Sequence, residues 1–457
     1  MNDTIAAIAT ALAPSAIGLL RLSGPEAIAV LDRVFTPAHG EPMAGRPDRT
    51  LVYGALRDPD GQVIDYCLAT VSRAPHSYTG EDTGELQCHG SPTVLLLGLE
   101  ALFAAGARQA QAGEFTRRAF LAGKLDLTRT EAIADLIHAE SPAAVRQAAG
   151  QLGGALAVAI EEIYQSLTDL LAHFHAVLDY PDEDIEPFQA AEISRALQTA
   201  AGKLDQLAGS YRRGRALIEG VPCAIIGRPN AGKSTLFNAL LGYDRAIVTP
   251  IAGTTRDTVE ERLNLGGVLL RLIDTAGLRD ADDQVEQLGV ERSRAAVEQA
   301  ELVLVVLDAS RPLTQEDLDA LDLGLSAPRC VVILNKDDLP GQEEARLPGL
   351  PARVPVVRLS ALTGEGVDQL ELAMENLFPD DTGLRPGALL TNARQAQAAA
   401  QARQAVSRAV QALRDGMSPD AVLADVEQAL TALGELTGRV VREDVTARIF
   451  ERFCVGK

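Results

Sequence analysis

Residues 227–235 read Gly227-Arg228-Pro229-Asn230-Ala231-Gly232-Lys233-Ser234-Thr235. An apolar run at 221–226 precedes this stretch, and a helical pattern at 236–241 follows it. Strand, glycine-bracketed loop and helix form the context in which the pattern G-x-x-x-x-G-K-[ST] binds phosphate. The glycines let successive N–H groups turn toward phosphate oxygens, and the helix start adds its positive dipole end. We therefore predict a phosphate-binding loop here, with a chance match in a Gly-rich chain as the alternative.

The side chains of this loop have separate expected roles. Lys233 is expected to reach the β- and γ-phosphates of a nucleotide, and the Ser234 hydroxyl is expected to ligate Mg²⁺. The rest of the predicted cradle consists of Asn230, Ala231, Gly232 and Thr235.

Two further stretches predict which base is bound. Asn335-Lys336-Asp337-Asp338 follows a strand-like run at 330–334 and fits the pattern N-K-x-D. The Asp338 carboxylate would accept hydrogen bonds from guanine N1–H and the 2-amino group, a donor pair that adenine lacks. Ser360-Ala361-Leu362 ends the next strand-like run and can offer a backbone amide to guanine O6. The sequence therefore predicts GTP rather than ATP.

Two more stretches would complete the site around Mg²⁺ and the γ-phosphate. Asp274-Thr275-Ala276-Gly277 ends an apolar run, so Asp274 should hold Mg²⁺ through its water shell and the Gly277 amide should sense the γ-phosphate. Gly253-Thr254-Thr255-Arg256-Asp257 lies where a switch is expected, and Thr255 is the candidate second hydroxyl on Mg²⁺. Five short motifs in the required order and context predict a GTPase.

One catalytic side chain of many GTPases is missing. Leu278 stands directly after D-T-A-G, where many GTPases place a glutamine that orients the attacking water. No arginine finger is evident from the sequence, so another group must neutralise the charge that builds on the β–γ bridge. Asn230 is a candidate ligand for a monovalent cation at this place. The alternative is that Asn230 only caps the loop.

Composition limits the possible partners and compartment. The chain has 457 residues, enough for two to four domains, and a net charge of −21 that repels polyanions at long range. Nucleic acid would therefore be bound through a partner or a local basic patch, of which Arg212, Arg213 and Arg215 form the obvious candidate. A solvated linker is the plainer interpretation of those arginines. Five cysteines without C-x-x-C spacing, no signal peptide and no membrane-spanning stretch lead us to expect the reducing cytoplasm.

The pattern of apolar and polar residues along the chain predicts a multidomain α/β protein. Residues 1–118 read as a mixed α/β unit, 119–216 as helical, 217–380 as alternating strands and helices, and 381–457 as helical again. The third part predicts a Ras-like P-loop domain with a mostly parallel sheet, inserted into one helical domain. Its candidate strands are 223–226, 269–274, 302–307, 330–334 and 354–358.

Four stretches outside the nucleotide motifs carry a family resemblance. They are GLLRLSG at 18–24, SYTGEDTGELQCHG at 77–90, GEFTRRAFLAGKLDL at 113–127 and FCVGK at 453–457. With the GTPase motifs they resemble the MnmE (TrmE) family of potassium-activated, tRNA-modifying GTPases over essentially the whole chain. The resemblance implies an N-terminal α+β domain that binds tetrahydrofolate and dimerises, an all-α domain and an inserted GTPase domain. One departure is Ala-Pro-Ser-Ala at 13–16, where the family is glycine-rich.

In the GTPase domain, the resemblance implies a K⁺ site and a water-orienting acid. Asn230 would hold K⁺ together with Thr249, Ile251 and Thr254, and the switch segment would also include Pro250, Ala252 and Gly253. Glu286 is implied to orient the attacking water through an intermediate. From the residues alone, Glu286 reads instead as a solvated acid at a helix start.

In the N-terminal domain, the resemblance implies a site for 5,10-methylene-tetrahydrofolate, with 5-formyltetrahydrofolate as its analogue. The implied residues are Arg21, Glu85, Lys124 and Lys457. Basic groups suit the glutamate tail of folate, and a carboxylate suits the N–H donors of the pterin. The resemblance places Cys454 near this pocket, where it is suspected of catalysis, and a packing role is the alternative.

The resemblance also implies partners and a reaction. The chain would form a homodimer and a heterotetramer with the FAD-dependent protein MnmG. Together they would install an aminomethyl or carboxymethylaminomethyl group at C5 of the wobble uridine of certain tRNAs, while GTP hydrolysis opens and closes paired GTPase domains. Two alternatives are a ribosome-assembly GTPase that binds rRNA and a folate-dependent one-carbon enzyme that GTP only regulates. The folate-like residues, the C-terminal tail and the lack of a basic appendage speak against the first.

Overall fold

The computed structural model describes residues 3–179, 190–244, 261–273, 286–339, 347, 349–379, 383–439, 449–450, 453 and 456. Contacts divide the chain into two compact units, Met1–Ala134 with Thr431–Lys457, and Asp135–Leu430. This division is coarser than the four parts expected from the sequence, so those four boundaries stay predictions.

The first unit is built on a seven-stranded sheet of order β3-β4-β5-β6-β2-β1-β7. The elements up to residue 137 are β1 (Ile5–Ile8), β2 (Ser15–Ser23), α1 (Ala27–Val34), β3 (Phe35–Pro37), β4 (Val52–Arg57), β5 (Val63–Ser72), β6 (Thr83–Gly90), α2 (Pro92–Ala104), β7 (Arg108–Gln109), α3 (Glu114–Leu121) and α4 (Leu127–Ile137). All strand pairs are antiparallel except β1 with β7.

The two faces of this sheet differ because side chains alternate along each strand. Leu20 and Leu22 of β2, with Ala69 of β5 and Leu86 of β6, are buried in one core with α1 and α2. The alternate positions form the outer face. There a row runs Tyr53–Leu68–Gln87–Leu19 from β4 to β2 through directly opposed residues.

The second unit combines helices with a six-stranded sheet of order β13-β12-β11-β8-β10-β9. The remaining elements are α5 (Pro142–Leu152), α6 (Ala155–Asp179), α7 (Ala190–Gly209), α8 (Tyr211–Glu219), β8 (Val221–Ile226), α9 (Lys233–Asp244), β9 (Glu261–Leu265), β10 (Val268–Leu272), α10 (Glu286–Gln299), β11 (Leu302–Asp308), α11 (Gln315–Leu325), β12 (Arg329–Asn335), β13 (Val356–Arg358), α12 (Val367–Leu377), α13 (Ala393–Arg414) and α14 (Pro419–Thr437).

This sheet is parallel except for the pair β9 and β10. All seven residues of β11 are buried, as expected for a central strand covered on both faces. The predicted mostly parallel sheet is therefore confirmed. The sequence reading missed β9, an edge strand joined to β10 by Gly266 and Gly267, which both have positive φ.

Buried hydrogen bonds join the helices before the sheet to the segment after it. Gln147 of α5 donates to the Leu389 carbonyl at 3.2 Å and accepts from the Gly387 N–H at 2.8 Å. The Ser210 hydroxyl accepts from the Leu390 N–H at 3.1 Å. Chain regions on either side of the insert therefore share one buried polar seam.

The arginines expected in a solvated linker lie instead in a helix. Arg212, Arg213 and Arg215 all belong to α8. Arg212 pairs with Glu301 at 2.7 Å, and Arg213 donates to the Pro379 carbonyl at 2.8 Å. The connection to β8 is therefore helical, while Arg212 and Arg215 are exposed as the solvated interpretation expects. Among the described residues, no helix has the length and apolar content needed to cross a membrane.

Candidate functional site

The loop between β8 and α9 has the backbone that its glycines allow. Gly227 has φ of +151°, and a Cβ there would lie 2.3 Å from the Val306 carbonyl oxygen. Gly232 has φ of +98°, and a Cβ there would lie 2.1 Å from Asn335 Nδ2. Any side chain at either position would meet the neighbouring strand ends, so the loop curls as tightly as a phosphate cradle requires.

Lys233, the first residue of α9, turns back over this loop. Its ammonium donates to the Gly227 carbonyl at 2.8 Å and to the Arg228 carbonyl at 2.9 Å. Burial lowers its pKa below the usual value. The next residue, Ser234, is half-buried, whereas Thr235 is exposed.

Asn335 joins the two loops that were predicted to bind phosphate and base. Its buried amide donates to the Ala231 carbonyl at 2.9 Å and accepts from the Ala361 N–H at 2.9 Å. Ser360 is buried beside it, while Leu362 is exposed. One side chain thus fixes the spacing between the phosphate loop and the segment predicted to contact guanine O6.

The next residues of the N-K-x-D stretch have different surroundings. Lys336 has φ of +67° and donates to the Asn230 carbonyl at 2.9 Å. Asn230 itself is exposed and has φ of +60°. Asp338 is exposed, and within the described part of the chain its carboxylate has no hydrogen-bond partner. It is therefore accessible to a ligand.

Several predicted site residues lie outside the described residues. They are Thr249, Pro250, Ile251, Ala252, Gly253, Thr254, Thr255, Asp274, Thr275, Ala276, Gly277, Cys454 and Lys457. Glu286 begins α10, but its side chain is outside the description as well. Their roles stay predictions.

The predicted folate residues of the first unit form one close pair. Arg21 and Glu85 are directly opposed on β2 and β6, with Arg21 Nε 2.8 Å from Glu85 Oε1. The Arg21 guanidinium carbon lies 6.0 Å from the Tyr78 ring centre and 5.9 Å from that of Phe115. Lys124 is exposed and lies close to Gly80. A Cβ atom added at Gly80 would be 3.6 Å from Lys124 Cε. Sequence reasoning did not single out Tyr78 and Phe115, although both lie in the quoted signatures.

The first unit also contains an ion network, centred on the buried Arg118 and Glu114, that the sequence reading missed. Arg118 donates to Glu81 at 2.9 Å, to Asp3 at 2.9 Å and to Glu114 at 3.0 Å. Arg108 binds Glu114 through two nitrogens. Burial alone would raise the pKa of Glu114, but hydrogen bonds from Arg108, the Gln111 backbone and Arg118 lower it from the usual 4.5 to about 2. The network joins two of the quoted signatures, because Arg118 and Glu114 lie in the stretch at 113–127 and Glu81 lies in the stretch at 77–90.

A phosphate loop tied to an N-K-x-D stretch on a mostly parallel sheet defines the class of P-loop GTPases. Comparison with protein families gives the particular one. The profile of the "MnmE helical domain" matches residues 127–454, and that of "GTP-binding protein TrmE N-terminus" matches residues 4–124. The chain belongs to the MnmE (TrmE) family of tRNA modification GTPases.

Full-length relatives agree with this assignment. The tRNA modification GTPase MnmE of Symbiobacterium thermophilum is 44% identical over 457 residues, covering 100% of both chains. That of Akkermansia muciniphila is 44% identical over 459 residues, covering 99% of both. The chain is thus a GTP-hydrolysing enzyme of tRNA modification. Among solved structures, Era of Aquifex aeolicus is 29% identical, covering 40% of this chain and 65% of that one, with a TM-score of 0.26. So low a score carries no conclusion.

Proposed function

We propose that the chain is a potassium-dependent GTPase that acts with MnmG on C5 of the wobble uridine of certain tRNAs, using a tetrahydrofolate one-carbon donor. The observation that carries the nucleotide part is the Asn335 side chain, which joins the phosphate loop to the segment at 360–362. Guanine selection would come from Asp338, because its exposed carboxylate is accessible to the N1–H and 2-amino donors.

The residues of the phosphate loop fit a nucleotide and its metal ions. Ser234 would hold Mg²⁺ together with Thr255 and, through water, Asp274, and Mg²⁺ would neutralise phosphate charge. Asn230 offers a neutral amide oxygen on an exposed left-handed residue, which suits a weakly hydrated monovalent ion. K⁺ bound there would supply positive charge near the β–γ bridge. The chain's own Lys233 would exchange its two carbonyl partners for phosphate oxygens.

The open outer face of the first sheet supports the folate and dimer proposals. Arg21 and Glu85 stand on that face, and their side chains are only 23% and 31% exposed. Tyr53 and Tyr66 stack on the same face with ring centres 6.3 Å apart, although each is 56% exposed. Exposed aromatic pairs of this kind are typical of protein interfaces. We propose that two copies associate through this face, with the folate residues beside the contact.

Two measurements test the chemical part. Purified chain should retain radiolabelled 5-formyltetrahydrofolate, and Arg21→Gln should lose it while Arg57→Gln, on β4, should not. Nucleoside analysis of tRNA from a deletion strain should lack the modified wobble uridine, and re-expression should restore it. Normal tRNA nucleosides in the deletion strain, with changed ribosomal particles, would favour the rRNA-binding alternative.

We place the protein in the cytoplasm, where tRNA and MnmG would meet it.

A further inference from the structure

A buried charge cluster lies beneath the nucleotide loops and has no role in the proposal above. It contains Asp308, at the end of β11, and Asp317, in the first turn of α11. Their side chains are only 1% and 2% exposed. Arg228 of the phosphate loop and Lys336 of the N-K-x-D stretch supply the nearest positive charges. The cluster therefore joins both nucleotide loops to two elements outside the predicted motifs.

Asp308 accepts hydrogen bonds on both of its oxygens. Lys336 Nζ lies 2.8 Å from Oδ2, while the N–H and hydroxyl of Ser310 lie 3.0 Å and 2.6 Å from Oδ1. Burial would raise the pKa of Asp308, but the bonds from Lys336 and Ser310 hold it below its usual value. The carboxylate is therefore ionised at neutral pH and is a full partner for an ammonium group.

Lys336 transmits this contact to the phosphate loop. The same ammonium donates to the Asn230 carbonyl at 2.9 Å, while the preceding residue Asn335 donates to the Ala231 carbonyl at 2.9 Å. Two consecutive residues of one loop therefore hold two consecutive carbonyls of the other. Both Asn230 and Lys336 have positive φ, which asparagine adopts readily but which a lysine keeps only when its surroundings hold it there.

We propose that Asp308 is a positioning residue that holds Lys336 against the phosphate loop and thereby sets the affinity for guanine nucleotide. The proposal rests on the proposed nucleotide site. Arg228 does not substitute for Lys336, since its nearest nitrogen is 3.6 Å from Asp308 and its Nε lies closer, at 3.1 Å, to Asp317. Without the carboxylate, Lys336 keeps only one of its two partners and the Asn230 carbonyl is held less firmly.

The test is a double-mutant cycle on the full-length chain, with mant-GDP and Mg²⁺ as the probe. Asp308→Asn and Lys336→Met should each weaken mant-GDP binding by about tenfold, the factor expected for a lost charge-assisted hydrogen bond. The double variant should bind within about twofold of Lys336→Met alone, because Asp308 acts through Lys336. Asp322→Asn, an exposed acid on α11, is the matched control and should bind like the unchanged chain.

Three outcomes would overturn the proposal. The first is unchanged mant-GDP affinity in Asp308→Asn, even with a lower melting temperature, since that would make the residue purely structural. The second is a double variant in which the losses of mant-GDP affinity of the two single variants multiply. The third applies if Asp308→Asn does not fold, in which case the double variant, which leaves no unpaired Lys336, is compared with Lys336→Met. A further tenfold loss of mant-GDP affinity in the double variant would then overturn the proposal. Failure of the guanine pocket itself would appear separately, as an unaltered base preference in Asp338→Asn.

Discussion

At the scale of single residues, the nucleotide site separates side chains that hold the structure from side chains left accessible to a ligand. Asn335 is buried and uses both its amide oxygen and its amide nitrogen inside the protein. Asp338, three residues later, is exposed. Substitution of the first should therefore alter the fold of the loops, whereas substitution of the second should alter only recognition of the base.

Asp338→Asn should change base preference without loss of stability. An amide can donate to the 2-oxygen of xanthine but cannot accept two guanine N–H bonds. We expect GTP binding to weaken by about 10- to 100-fold, the range for charge-assisted hydrogen bonds, while xanthosine triphosphate binding improves. Competition against mant-GDP measures both. Asp337→Asn is the control, since Asp337 pairs with Arg358 at 2.8 Å. Unchanged GTP affinity in Asp338→Asn would mean that the base binds elsewhere.

Asn230 allows a sharper test of the potassium proposal than alanine alone would give. Its φ is +60°, and alanine in that conformation costs about 1–2 kcal/mol, so a slow Asn230→Ala could reflect strain. Asn230→Gly removes the amide without that cost. We expect GTP turnover of the unchanged chain to rise in K⁺ over Na⁺, and both variants to lose the difference. Equal rates of the unchanged chain in the two salts would refute the cation site.

At the scale of elements, much of the second unit could be predicted because its signals are local. The predicted strands at 223–226, 302–307 and 330–334 coincide with β8, β11 and β12, whose apolar runs are continuous. β9 was missed because its five residues mix charged and apolar side chains. Asp308 was missed for another reason: its importance comes from a lysine 28 residues away, and no sequence spacing encodes that contact.

Gly232→Ala should disrupt both nucleotide loops at once. The new methyl would lie 2.1 Å from Asn335 Nδ2, so Asn335 must move and its buried partners are left unpaired. We expect a loss of stability of about 1–3 kcal/mol for each unsatisfied buried group, and loss of mant-GDP binding. Gly242→Ala is the matched control, because no atom lies within 4 Å of a Cβ there, in α9. Chemical denaturation and mant-GDP titration measure both effects. Intact binding in Gly232→Ala would contradict the described loop geometry.

The ion network around Glu114 should make the first unit sensitive to acid. Because the folded pKa of Glu114 is lowered from 4.5 to about 2, its stabilisation is complete above pH 4.5 and is lost as pH falls toward 2. The shift corresponds to at most on the order of 3 kcal/mol. Hydrogen exchange of peptides spanning β1 and α3, corrected for intrinsic rates, should show protection falling between pH 5 and pH 3. Glu114→Gln should be less protected at pH 7 and should lose less on acidification. An equal acid loss in both would locate the sensitivity elsewhere.

At the scale of the whole molecule, the family assignment and the net charge together favour a partner that contributes to tRNA binding. A chain with a net charge of −21 that modifies tRNA needs a partner or a local basic surface. The arginines of α8 are committed in part to the protein itself, through Glu301 and the Pro379 carbonyl. This supports the proposal that MnmG supplies much of the tRNA-binding surface.

The proposed homodimer should depend on the outer face of the first sheet. Tyr53→Lys would put a charge into the contact, so we expect the dimer to weaken by at least about tenfold, as for a central aromatic residue in an interface. Sedimentation velocity over a concentration series measures this. Leu372→Lys, at an equally exposed apolar position on α12, is the control. Dimers of equal strength in the two variants would place the interface on another surface.

The buried seam formed by Gln147 and Ser210 has one further consequence. The chain leaves the helices near Ser210 and returns at Leu390, and the two points are in direct hydrogen-bond contact. The segment between Ser210 and Leu390 therefore begins and ends at adjacent points of the helical region. A few residues of glycine-rich chain in its place would span the gap, leaving the helices on both sides packed as they are.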